Sequence, residues 1–171
     1  IAELKKLGVD WSSGPDEGPT SFDVEAFTDR SENHVRAGDT MKLTVRVKNT
    51  GDATVYRLRG VTRSDNGLFS NRELVFGKLA PGETREWSVP LGICQNEGKE
   101  RACRIPRATP SRADGIEIRF DAEHDRAPEK VVLQTSIEAL PKPVFAYSIH
   151  LGDDFEGNGD GMLQRGERAN L

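Results

Sequence analysis

Hydrophobic and polar residues alternate along most of the chain between residues 20 and 151. The clearest case is Met41–Asn49, where hydrophobic side chains alternate with lysine, threonine and arginine, as in a β-strand that buries one face. Comparable patterns, separated by turn-forming residues, occur at residues 22–26, 55–61, 74–76, 87–91, 116–120, 131–137 and 143–151. About seven or eight short strands spaced in this way predict an all-β fold, and specifically an immunoglobulin-like antiparallel β-sandwich.

The beginning of the chain does not follow this alternation. Residues 1–8 predict a short helical turn that Gly8 ends, and residues 12–20 have the glycine, proline and serine content of a linker. We therefore assign residues 1–19 to the end of a preceding element plus a linker, and residues 20–151 to the sandwich.

Residues 152–171 are assigned to a Gly/Asp-rich, calcium-type loop and the start of a second β module. The final eight residues, QRGERANL, share the order of glycine, acidic residue, polar residues and leucine with residues 36–43, RAGDTMKL. The similarity indicates either a repeated module or a coincidence over a short match.

The loop at residues 153–167, DDFEGNGDGMLQRGE, has the spacing of a calcium-binding EF-hand loop when it is numbered from Glu156. The flanking residues predict strands instead of helices, so we expect an EF-hand-like loop in a β context. Glu156 stands where aspartate is usual, and the competing interpretation is a flexible acidic linker. The candidate calcium ligands are Asp153, Asp154, Glu156, Asn158, Asp160, Met162, Gln164 and Glu167.

The two cysteines, Cys94 and Cys103, bracket eight residues, QNEGKERA, most of them polar. A disulfide here would close a short polar loop, contribute about 2–3 kcal/mol to stability and place the protein outside the cytosol. The alternatives are two unpaired thiols in a reducing compartment, or a metal site, for which further cysteine or histidine ligands are missing.

Charge is spread evenly along the 171 residues, which carry 24 basic and 28 acidic side chains and a formal net charge of −4. Without a basic cluster, nucleic acid is not an expected partner, and neither is a membrane surface. No hydrophobic run reaches the ~18 residues of a membrane-spanning helix.

Motifs of the common enzyme classes do not occur in the sequence: it has no nucleophile elbow, P-loop, dinucleotide-binding glycine motif or zinc-protease motif. His34, His124 and His150 lie in separate, mostly charged contexts and are predicted to be surface residues. The acidic residues within 121–125 indicate a solvated loop or, alternatively, a second cation site. We therefore predict no catalytic residue in this segment.

Two sets of motifs resemble known families. AGDTMKLTVRVKNTG at residues 37–51, followed by LAPGET at residues 79–84, resembles bacterial extracellular Ig-like adhesion modules of the CARDB type. LGVDWS at 7–12, ELVFGK at 73–78 and GNGDG at 157–161 together resemble the region after the protease domain in carboxyl-terminal processing (tail-specific, PDZ-containing) serine proteases of delta-proteobacterial type. The resemblance implies an accessory region of a secreted or periplasmic (cell-envelope) bacterial protease, and it carries over no catalytic residue.

These observations predict a non-catalytic structural and interaction module that works outside the cytoplasm, with calcium bound in the loop. The expected partners are flanking domains of the same chain, and protein or peptide substrate. The alternatives are a carbohydrate- or peptide-binding module that uses an exposed sheet face, and a part of the parent protease that positions its substrate.

Overall fold

The computed structural model describes residue 4, residues 6–97, residues 100–142, and residues 162 and 165. Residues 1–140 and residues 141–171 form two compact units, and the described residues of the second unit are Pro141, Lys142, Met162 and Arg165. No helix within the described ranges is long and hydrophobic enough to cross a membrane.

The first unit contains the ten strands found among the described residues. Their bounds are β1 Phe22–Thr28, β2 His34–Arg36, β3 Met41–Asn49, β4 Val55–Arg63, β5 Glu73–Leu79, β6 Thr84–Leu91, β7 Ile93–Glu97, β8 Glu100–Arg104, β9 Arg112–Asp121 and β10 Val131–Glu138. Strands β1, β3 and β6 form one sheet in the order β1-β3-β6, and a second sheet has the order β2-β10-β9-β4-β5. Strands β7 and β8 pair with each other as a separate hairpin.

This strand order is that of an immunoglobulin-like sandwich. In immunoglobulin lettering, strands A, B and E face strands A′, G, F, C and C′. All the pairings are antiparallel except that of β2 with β10. The predicted all-β, Ig-like sandwich is confirmed, and the β7–β8 hairpin is an insertion between strands E and F.

The core lies between the two sheets and follows from the alternation in the sequence. On β3, Met41, Leu43, Val45 and Val47 point inwards and are at most 1% exposed. Trp87 on β6 is partly buried against the same cluster. The other large, fully buried side chains are Leu58, Phe69, Leu74, Phe76, Leu79, Leu91, Ile105, Ile116, Ile118 and Ile137.

The turn after β3 is built around Asn49, whose side chain is fully buried. Its Nδ2 donates to the carbonyls of Ala53 and Leu79, at 2.8 and 3.1 Å, and its Oδ1 accepts the Gly51 N–H at 3.1 Å. Only glycine fits at position 51, because a Cβ there would lie 2.7 Å from the backbone nitrogen of Ser21. The Asn-Thr-Gly motif is therefore required by the fold.

The turn at residues 80–83, within the LAPGET motif, lies against the Asn-Thr-Gly turn. Asn49 donates its backbone N–H to the Glu83 carbonyl at 3.0 Å and accepts the Gly82 N–H at 2.9 Å. The Glu83 carboxylate also accepts the Ala80 N–H at 2.9 Å. The two motifs thus form one hydrogen-bonded unit that fixes the ends of β3, β5 and β6, and this role needs no ligand.

The helical turn predicted at the start of the chain agrees with the described residues there. Leu4 and Lys6 are helical, and the Val9 N–H donates to the Leu4 carbonyl at 2.9 Å. A backbone hydrogen bond from the sixth residue of a segment to its first is typical of a helix C-terminus. The division of the chain into residues 1–19, 20–151 and 152–171 stays a prediction.

Candidate interaction site

The predicted calcium loop lies almost entirely outside the described residues. Met162 is described and is 65% exposed. Within the described ranges there is no group of three or more histidine, cysteine or acidic side chains placed to hold a metal. The calcium prediction therefore stays a prediction for all the candidate ligands, which are Asp153, Asp154, Glu156, Asn158, Asp160, Met162, Gln164 and Glu167.

Two of the acidic residues considered as a second cation site, Asp121 and Glu123, are engaged by protein groups. Asp121 pairs with Arg59 at 2.9 Å, and Glu123 accepts hydrogen bonds from Ser13 and from the Gly14 N–H. These contacts give both carboxylates partners within the protein, and the choice between a solvated loop and a second cation site stays a prediction.

The histidines among the described residues also make protein contacts. Nδ1 of His34 lies 2.9 Å from the Ser136 hydroxyl, and Nε2 of His124 lies 2.9 Å from the Gly14 carbonyl. His150 lies outside the described residues.

The predicted disulfide between Cys94 and Cys103 is confirmed. The two residues are directly paired partners in the β7–β8 hairpin, so the bond links the strands near the base. An isolated two-stranded hairpin is marginal in water, and the covalent link offsets that weakness. A disulfide also indicates folding in an oxidising compartment, outside the cytoplasm.

The base of the hairpin is anchored to the sandwich on both sides. Gly92 donates its N–H to the Leu68 carbonyl at 3.0 Å, and Ile105, fully buried, donates to the Asp39 carbonyl at 2.9 Å. The Gly38 N–H in turn donates to the Ile105 carbonyl at 2.8 Å. The direction in which the hairpin leaves the sandwich is fixed by these contacts.

One face of the hairpin carries Ile93, Gln95 and Arg104, and the other carries the disulfide. Ile93 is paired with Arg104 across the strands, and Gln95 follows two residues later on the same side. This face, together with the segment that follows β8, encloses a groove of about 350 Å³. The residues lining the groove are Gly38, Ile93, Gln95, Arg104, Ile105, Pro106 and Arg107.

The opposite end of the sandwich is covered by residues 9–20, which we call the N-terminal strap. The Asp10 carbonyl accepts the Lys78 N–H of β5 at 2.7 Å, and Glu17 accepts the Thr54 N–H at 2.9 Å. Val9 is only 3% exposed. The strap predicted as a linker is therefore held against the sandwich.

Charged contacts complete the attachment of the strap to the turn after β9. Asp16 pairs with Arg126 at 2.9 Å, and this hydrogen bond lowers the pKa of the Asp16 carboxyl below its usual value. The Ser13 hydroxyl does the same for Glu123, whose pKa is lowered chiefly by that bond. Both carboxylates are thus held in their charged form in the folded protein.

The outer face of the three-stranded sheet is polar. Arg46 pairs with Glu25 on β1 at 2.8 Å and with Glu86 on β6, and it also lies over the Phe27 ring, 5.7 Å from the ring centre. Among the described aromatic side chains, Phe27 is the one that is exposed. This face therefore presents cross-strand ion pairs where a carbohydrate-binding face would present a row of aromatic rings.

Sequence reasoning identified the disulfide but missed both the hairpin and the strap contacts. The hydrophobic side chain of Ile93 is exposed, so β7 lacks the buried hydrophobic alternation that marked β3. The strap is held by polar contacts to residues more than a hundred positions away, such as that of Asp16 with Arg126. A signal for the hairpin exists in the sequence: Cys94 and Cys103 flank an even number of residues, as directly opposed partners across a two-residue turn do, and Gly98 lies at the centre.

Comparison with known proteins gives structural similarity alone. No family model and no curated protein sequence matches the chain. A β-glucosidase from Listeria innocua is 12% identical, with a TM-score of 0.38, over 70% of this chain and 16% of that chain. A β-glucosidase from Erythrobacter marinus is 17% identical, with a TM-score of 0.38, over 69% of this chain and 15% of that one.

A third similar structure is the putative ApaA protein from Bordetella pertussis. It is 20% identical, with a TM-score of 0.35, and the match covers 71% of this chain and 95% of that chain. The chain thus spans about a sixth of the length of the two β-glucosidases and most of the length of the ApaA protein.

Proposed function

We propose that this chain is a non-catalytic structural and interaction module of a larger protein that is secreted or held in the cell envelope. The observation that carries the proposal is the disulfide-closed hairpin inserted between β6 and β9. Its base is anchored to the sandwich core, and one of its faces borders a groove. A rigid projection of this kind offers a surface for recognition at low cost in conformational entropy.

The parent protein that we propose is a carboxyl-terminal processing serine protease. The proposal rests on the motifs at residues 7–12, 73–78 and 157–161. In that setting the module would hold flanking domains, or protein and peptide substrate, at a defined position relative to the protease domain. The catalytic groups would belong to the protease domain.

Calcium is part of the proposal for the loop at residues 153–167. Five carboxylates lie within these fifteen residues, so they repel one another when no cation is bound. Bound calcium would neutralise them and order the glycine-rich backbone. Even a weak site, with a Kd on the order of 10⁻⁴–10⁻³ M, would be occupied at extracellular calcium concentrations.

Thermal melting with calcium and with a chelator tests this loop. We expect a higher melting temperature in calcium, and Asp160→Ala and Glu167→Ala should each abolish the difference. Asp23→Ala removes an exposed carboxylate on β1 and is the matched control, which should keep the calcium response. Identical melting curves with and without calcium, together with no heat in a calcium titration, would contradict the calcium site.

Peptide binding is the alternative that a specific observation favours. The groove beside the hairpin combines hydrophobic and basic side chains, whereas the outer face of the three-stranded sheet carries the ion pairs of Arg46. The carbohydrate alternative would need an aromatic surface, and a glycan array tests it directly.

A further inference from the structure

The two ends of the sandwich differ in what covers them. Strand β3 runs from one end to the other: Met41 pairs with Leu91 just before the hairpin, and Asn49 lies near Thr54, which the strap contacts. The strap binds the turn at residues 123–126, at the far end. The groove at the strap end is lined by Thr20, Ser21 and residues 127–131, whereas the hairpin end presents the groove that Ile93 and residues 105–107 border.

The floor of this groove is hydrophobic. Ile105 is fully buried beneath it and Pro106 is half-buried, while Ile93 stands 51% exposed at its side. A β-branched side chain held half in water on a rigid hairpin gains free energy when a partner covers it, at about 25 cal/mol for each Å² of apolar surface. The groove thus favours a ligand with aliphatic side chains.

The charges that line the groove have one sign. Arg104 and Arg107 contribute guanidinium groups, and none of the described lining residues is acidic. Within the described part of the chain, Arg107 makes no ion pair or hydrogen bond, and its stem lies over the backbone of Gly38. A guanidinium group at the mouth of an apolar groove is suited to a carboxylate, which it can bind through two parallel hydrogen bonds.

We infer that the groove between the hairpin and residues 105–107 binds an extended peptide in which carboxylate and aliphatic side chains alternate. This inference deepens the proposed interaction function and rests on it. In an extended segment, successive side chains point to opposite sides, so that aliphatic groups reach Ile93 and Pro106 while carboxylates reach Arg107. The area is small, so the complex is a weak and transient one whose affinity falls with salt.

Fluorescence anisotropy with synthetic peptides tests the inference. The probe is a labelled nine-residue peptide in which glutamate alternates with leucine. One control peptide has lysine at each glutamate, and another has serine at each leucine. We expect binding of the glutamate–leucine peptide and at least tenfold weaker binding of both controls, because the first control reverses the charge and the second removes the aliphatic contacts.

Variants locate the site. Arg107→Glu and Ile93→Ser should each raise the Kd of the glutamate–leucine peptide by at least about tenfold. Lys48→Glu, a matched charge reversal on the outer face of β3, should change this Kd less than about twofold. Melting curves establish that each variant is folded. Equal loss in Lys48→Glu, or equal binding of the serine control, would overturn the inference.

The outcomes also separate this inference from the proposed function. Peptide binding that Arg107→Glu leaves unchanged would remove the groove as the site and leave an interaction module in place. No binding of the glutamate–leucine peptide by the wild-type chain would overturn the inference, whereas the calcium response of the melting temperature tests the loop at residues 153–167 independently.

Discussion

Replacing both Cys94 and Cys103 by serine should loosen the hairpin and leave the sandwich folded. The bond closes a segment of ten residues, from a sequence separation of 9. In the chain-entropy description, a closed loop of this size raises the free energy of the unfolded state by about 2.7 kcal/mol at 25 °C. This value is an upper limit, because a hairpin that frays in the folded variant regains part of that entropy.

Urea unfolding of the oxidised wild type and of the double-serine variant measures the difference. We expect a loss between about 1 and 2.7 kcal/mol with an unchanged dependence on urea concentration. Brief trypsin treatment should cut the variant faster at Lys99, Arg101 and Arg104, because the hairpin is looser without the bond. The effect should stay within the hairpin, because the anchors at Gly92 and Ile105 belong to the sandwich and stay in place. Reduced wild type is the control and should behave like the variant.

Two results would refute this reasoning. A loss well above about 4 kcal/mol would mean that the sandwich itself depends on the bond, contrary to the anchoring at Gly92 and Ile105. An unchanged stability with unchanged cleavage would mean that the hairpin is held by other contacts and needs no covalent link.

Two further predictions concern the turn after β3 and the strap. Asn49→Ala leaves the buried carbonyls of Ala53 and Leu79 without their donor and should cost roughly 1–3 kcal/mol for each in urea unfolding, whereas the exposed Lys48→Ala should stay within about 0.5 kcal/mol. The strap should loosen in acid: the folded pKa of Glu123 is lowered from 4.5, so its stabilising bond is fully present above that pH and is lost as the pH falls through the folded value. We therefore expect faster amide exchange at the strap below pH 4.5, and a smaller acid-induced increase in the Glu123→Gln variant. Strap exchange that does not depend on pH, after correction for intrinsic rates, would contradict this prediction.

The fold could be predicted from the sequence because its core strands bury one face. The alternation in Met41–Asn49 and in residues 131–137 matches β3 and β10 closely. Strand β2 has three residues, too few for a periodic pattern, and it is fixed by its parallel pairing to Ser136–Glu138. Strands β7 and β8 are short, they expose Ile93 and Gln95, and they depend on a covalent bond that periodicity does not reveal.

The candidate site could be predicted only in part. The cysteine pair predicted a disulfide-closed loop between residues 94 and 103, but it did not predict that the loop is a two-stranded hairpin. The groove is different, because Gly38 and Arg107 are far apart in sequence and are brought together by the backbone hydrogen bonds of Ile105 with Gly38 and Asp39. The strap looked like a linker because its composition is polar, and its contacts arise from tertiary structure.

If the hairpin end of the sandwich is its interaction surface, an added peptide should perturb that end alone. Amide chemical shifts of the ¹⁵N-labelled chain, recorded while the glutamate–leucine peptide is added, measure this residue by residue. We expect the largest changes at Ile93, Gln95, Ile105 and Arg107, with little change at Glu123 and along β3. Changes centred on the strap or on the outer face of the three-stranded sheet would contradict it.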